Sequence, residues 1–157
     1  MKKSSEPVTL RERFARNLRA YRLELGMTQE ELGTYIDADR TAISRLERTF
    51  GNPTLERAEA LASALSIDVR VLMTFSGKGE IERRPPTGDV TSAAVGAKVA
   101  RLREKMGLTQ KQLGELAGVD RNFISRVEAP HGRTTPLELA TLEKLAAAFG
   151  IHPVELL

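Results

Sequence analysis

The side chains of this chain that can do chemistry are hydrogen-bond donors rather than nucleophiles. Cysteine is absent from all 157 residues, which excludes a thiolate nucleophile, a disulfide framework and a thiolate zinc site. No His-Glu-x-x-His stretch and no phosphate-cradling glycine loop is present, so no enzyme is expected and no cofactor is implied. His131 and His152 stand too far apart in sequence to suggest a metal site, and His152 reads as a helix cap beside Pro153. What the chain offers twice is a short run framed by arginines: Arg40-Thr41-Ala42-Ile43-Ser44-Arg45 and Arg121-Asn122-Phe123-Ile124-Ser125-Arg126. A guanidinium fork fits the edge of guanine and an asparagine amide fits adenine, while a threonine methyl can lie against thymine. The bland reading of each such arginine is a solvated surface charge.

These runs lie inside a longer echo. Arg22-Leu-Glu-Leu-Gly26-Met-Thr28-Gln29-Glu-Glu-Leu32-Gly33 recurs 81 residues later as Arg103-Glu-Lys-Met-Gly107-Leu-Thr109-Gln110-Lys-Gln-Leu113-Gly114. The register holds to Glu47 and Glu128. So long a period means two copies of a small domain rather than a solenoid. Helical spacing of Phe14, Leu18, Tyr21 and Leu25, and of Val95, Val99, Leu102 and Met106, predicts an all-helical fold. Thr9 with Glu12, Thr28 with Glu31, and Thr135 with Glu138 suggest capping boxes, and Asn52-Pro53 suggests a cap with proline at the first helical position. Gly26 sits where a left-handed cap ends a helix. Five helical elements per copy are expected, in domains spanning 8–75 and 91–157. Residues 76–90, rich in glycine, proline and alternating charge, read as a flexible linker extended around Pro85-Pro86. The loop after the third helix is about three residues longer in the second copy, at 129–134.

Each copy resembles the helix-turn-helix domain of the phage Cro and repressor proteins, the XRE type with a lambda-repressor-like fold. The resemblance rests on Arg22, Gly26, Thr28-Gln29, Leu32, Ile43-Ser44-Arg45 and Glu47, and on Arg103, Gly107, Thr109-Gln110, Leu113, Gly118, Ile124-Ser125-Arg126 and Glu128. It covers most of the chain. In this family the third helix enters the major groove while the second braces it across the backbone. The resemblance therefore implies base-reading by Arg40, Thr41, Ser44 and Arg45, and by Arg121, Asn122, Ser125 and Arg126. It implies backbone contact or buttressing by Gln29 and Gln110, and phosphate contact from the following loops through Arg48 and Arg133. Arg22 with Glu47, and Arg103 with Glu128, are implied as pairs inside the domain. Two departures stand out. Asp37 occupies the place of the turn glycine Gly118, and Phe123 occupies a position usually held by a small residue; packing on a thymine methyl, on a partner or into a core gap are all open to it.

The expected function is sequence-specific binding of double-stranded DNA by a transcriptional regulator, a repressor, whose operator has two related half-sites. The alternative is that one copy binds DNA and the other is a protein-interaction or dimerisation module of antitoxin-like kind. Met73, Phe75, Leu156 and Leu157 would suit such an interface, although core packing is the commoner use. Homodimerisation is open. The net charge of +3 is weak evidence for nucleic acid, since placement matters more than total. The polar N-terminus lacks a signal-peptide core and no apolar run approaches a membrane span, so a cytoplasmic protein with neither membrane nor small-molecule partner is expected. No self-cleaving or ligand-binding domain is expected beyond the second copy.

Overall fold

The computed structural model describes residues 7–78, 80–129 and 135–157. The first copy is built from α1 (Leu10–Glu24), α2 (Gln29–Tyr35), α3 (Arg40–Thr49), α4 (Leu55–Ala64) and α5 (Val69–Thr74). The second has α6 (Ser92–Lys105), α7 (Gln110–Ala117), α8 (Arg121–Glu128), α9 (Leu139–Phe149) and a C-terminal 3-10 turn, Pro153–Leu156. The fifth element of the second copy is thus a single tight turn. Pro153 stands at its first position, capped by His152 Nδ1, which accepts from the Val154 N–H at 3.2 Å.

The helix signals in the sequence act in two ways. Thr28 and Thr109 close full capping boxes with Glu31 and Gln112. At Thr9 only half the box forms: its hydroxyl accepts from the Glu12 N–H, while the Glu12 carboxylate pairs with Arg16. Gly26 and Gly107 adopt φ of 65° and 68°, and the next residues donate to Arg22 O and Arg103 O at 3.0 and 3.1 Å, as a Schellman turn requires. Two expected starts are displaced. The fourth helix begins at Leu55 under a Thr54 cap, not at Asn52-Pro53. Its counterpart begins at Leu139, so the expected Thr135–Glu138 box is replaced by Glu138 in the cap position, and Glu138 makes no side-chain cap bond.

The reason for both displacements is a joint between the copies. Allowing for the longer second loop, Thr54 corresponds to Glu138, Pro53 to Leu137 and Leu55 to Leu139. These equivalent residues face each other. Thr54 and Glu138 form an antiparallel bridge, in which Leu55 N–H donates to Leu137 O at 2.7 Å and Leu139 N–H donates to Pro53 O at 3.0 Å. Asn52 crosses to the other copy. Its Oδ1 accepts from the Ala140 N–H at 3.0 Å, and its Nδ2 donates to Glu138 Oε2 at 2.7 Å. The cap that Glu138 does not give its own helix is supplied by Asn52.

Further contacts join the copies. Glu143 accepts from the Leu10 N–H and Glu56 accepts from the Ser92 N–H. The fifth elements touch, and buried Leu72, Met73 and Leu156 belong to one hydrophobic cluster that runs through both copies. Phe75 and Leu157 pack against it. Several of residues 76–90, which lie between the copies, are held against the first. Arg84 O accepts from the Asp68 N–H at 2.6 Å, Glu82 O accepts from Tyr21 Oη at 2.8 Å, and Arg70 reaches Asp68, Thr87 and Asp89. Val90 is buried. Composition alone signals a tether; the anchoring comes from backbone carbonyls that composition does not reveal.

Candidate nucleic-acid interface

Each copy builds a projecting helix on an internal polar cluster. Arg22 Nε donates to Glu47 Oε1 at 2.6 Å, and its Nη2 donates to Glu47 Oε2 at 3.0 Å. Its third nitrogen donates to Met27 O. Gln29 Nε2 completes the set by donating to Glu47 Oε2 at 2.9 Å. Arg103, Glu128, Leu108 and Gln110 repeat every one of these bonds. The Arg22 and Glu47 side chains are only 7% and 2% exposed, so the charges depend on each other rather than on water. The hydrogen bonds that Arg103 donates to Glu128 raise its pKa above the ordinary value. One carboxylate therefore ties the first helix, the start of the second and the end of the third. Gln29 and Gln110 buttress the third helix through their amide nitrogens.

The turn between second and third helices is tight because Gly33 and Gly114 permit it. A Cβ on Gly33 would lie 2.4 Å from Ala38 O, and one on Gly114 would lie 2.7 Å from Val119 O. Sequence reasoning passed over both glycines, although the repeated Leu32-Gly33 and Leu113-Gly114 pairs carried the signal. Asp37 takes φ of 52° where Gly118 takes 69°, so aspartate does serve in the glycine's place. Asp39 and Asp120 cap the third helices at Ala42 N and Asn122 N.

The exposed face of α3 holds Arg40, Thr41, Arg45 and Arg48, with Ser44 half-buried beside them. The exposed face of α8 holds Arg121, Asn122, Ser125 and Arg126. Among the described residues, no carboxylate lies within ion-pair distance of Arg40, Arg45, Arg48, Arg121 or Arg126. A groove lined by Arg22, Thr28, Gln29, Glu30 and Arg40 runs between the starts of α2 and α3. Arg133 falls outside the described residues, as does His131. Phe123 is half-buried against the core, and the Arg126 guanidinium lies over its ring, 5.8 Å from the centroid. In α3 the equivalent pair is Ala42 and Arg45, where no ring is available. The third helix of the first copy is followed by Phe50 as its C-cap, in left-handed backbone (φ 51°), with Arg16 over its ring.

Comparison with known proteins agrees with this geometry. A family described as Helix-turn-helix matches residues 18–72, and one described as Helix-turn-helix domain matches residues 94–157. The chain is 40% identical over 62 residues to the uncharacterized HTH-type transcriptional regulator y4dJ of Sinorhizobium fredii, covering 40% of this chain and 77% of the relative. It is 40% identical over 58 residues to a hypothetical transcription factor of Neisseria meningitidis, covering 37% of this chain and 55% of that one. It is 33% identical over 72 residues to the control protein C.BamHI of Bacillus amyloliquefaciens, covering 45% of this chain and 89% of that protein. No solved structure matches. With the repeated Arg–Gln–Glu cluster, the tight glycine turn and two matched domains in one chain, the protein belongs to the XRE-type helix-turn-helix family of transcriptional regulators.

Proposed function

We propose that this regulator binds double-stranded DNA in the cytoplasm with both copies, α3 and α8 each lying in the major groove over one half of an operator. The observation that carries this is the duplication of exposed arginines, without an ion-pair partner among the described residues, on two helices that the same internal cluster orients. An arginine in the first turn of a helix entering the groove is placed for guanine O6 and N7. Arg40 and Arg121 are assigned that role, Thr41 and Asn122 read neighbouring bases, and Arg45, Arg48, Ser44, Ser125 and Arg126 supply further base or phosphate contacts. Repression is the proposed mode, because occupying a site is enough to block it.

A second reading keeps DNA binding in the first copy and gives the second to a protein partner. It is favoured by Phe123, which places an aromatic ring in the first turn of α8 and engages Arg126. One experiment separates the two. Enrich bound sequences from a random duplex pool with the full chain, then measure Arg40→Ala and Arg121→Ala on the selected site. Two-copy reading expects each variant to lose about 1–3 kcal/mol and to relax the site at one base pair. A loss equal on all sequences would mark that arginine as a phosphate contact. If only Arg40→Ala weakens binding, the second reading stands, and failure to enrich any sequence overturns both.

A further inference from the structure

Building on that reading, we infer that the operator consists of two unlike half-sites in inverted orientation at one fixed spacing, and that a single chain fills it. The joint between the copies carries this. Residue 55 donates to residue 137 and residue 139 donates to residue 53, and these are equivalent positions in the two copies. Such an exchange, in which each half gives the other what it receives, is the mark of an isologous interface and therefore of a local two-fold axis. A two-fold that relates the copies also relates α3 to α8. Duplex DNA matches a two-fold pair of readers with inverted half-sites; direct repeats would need the copies related by translation along the helix.

The spacing is fixed because the joint is rigid. The bridge, the cross-capping by Asn52, the bonds that the Leu10 and Ser92 N–H groups donate to Glu143 and Glu56, and a shared core hold the copies together, while the connection between them is anchored to the first. The half-sites differ because the readers do: Thr41 faces its half where Asn122 faces the other, and Ala42 is replaced by Phe123 with Arg126 stacked on it.

The test uses the full chain throughout. Pool selection is expected to return two different short motifs, inverted, at one spacing, and the mass of the complex in solution is expected to be one chain per duplex. Inserting about 10 base pairs, one helical turn, between the motifs preserves their facing but not their distance. A rigid pair then loses about 100-fold in affinity, the order of gain that linked binding gives. Direct repeats, affinity kept after the insertion, or two chains on each selected duplex would overturn the inference while leaving DNA reading intact. Failure to enrich any sequence would instead remove the reading beneath it.

Discussion

At the scale of single residues, what matters is which charges have partners. Glu47 accepts from three side-chain nitrogens and is almost wholly enclosed. Glu47→Ala leaves the Arg22 guanidinium buried without its counter-charge, and the expected cost is about 3–5 kcal/mol, read as a lower urea midpoint. Loss of DNA binding in that variant then follows from unfolding, and a stable fold with lost binding would argue for a direct contact instead. Glu59 is the opposite case. It corresponds to Glu143, which accepts from Leu10, yet Glu59 Oε2 has no partner among the described residues. Burial first, then the nearby Asp68 charge, raises its pKa above the ordinary value of 4.5, against the lowering pull of Arg70. The folded state therefore holds this proton more tightly than the unfolded chain. That contribution is full below about pH 4.5 and is lost as pH rises through the folded value. Glu59→Gln should melt higher than the parent at pH 7, with the difference shrinking toward pH 4; an equal difference at both would refute this account. The paired arginines were legible through the resemblance to the helix-turn-helix family, whereas the orphaned carboxylate was not, since it depends on what the other copy fails to offer.

At the scale of elements, local signals and tertiary demands can be told apart. The helix-ending Gly26 and Gly107, the Thr28 and Thr109 caps and the aspartate caps of the third helices are decided within a few residues, so these parts of the helix-turn-helix unit could be read directly, while the close approach at Gly33 and Gly114 could not. The fourth helices could not. Asn52-Pro53 has the form of a local cap, but the Asn52 amide is used across the joint and Thr54 takes over at home. A side chain with two candidate helices to cap looks the same in sequence whichever it serves. Asn52→Ala should cost about 1 kcal/mol, the usual value of a lost cap. Hydrogen exchange should report the loss at the Ala140 amide in α9; added exchange confined to α4 would mean that the cap is local after all.

At the scale of the whole molecule, the two copies are one body. Each alone has about the size at which an independent fold is marginal. Together they share a continuous core and exchange main-chain hydrogen bonds. Thermal unfolding is expected as one transition, with calorimetric and van't Hoff enthalpies equal; two separated transitions would show that the joint is weak. Duplication was plain from the sequence, but docking was not, because bonds between main-chain atoms such as Leu139 N and Pro53 O leave no trace in residue types. The exchange at Thr54 and Glu138 carries a last consequence. A homodimer repeats every mutation in both halves and cannot distinguish the two ends of its site. Here one half carries Thr41 and Ala42 and the other carries Asn122 and Phe123. On the operator proposed above, a protein so built would lie in one direction only, with the N-terminal half always toward the same flank. Its complex with DNA would have a front and a back, and whatever is transcribed on either side would meet a different face.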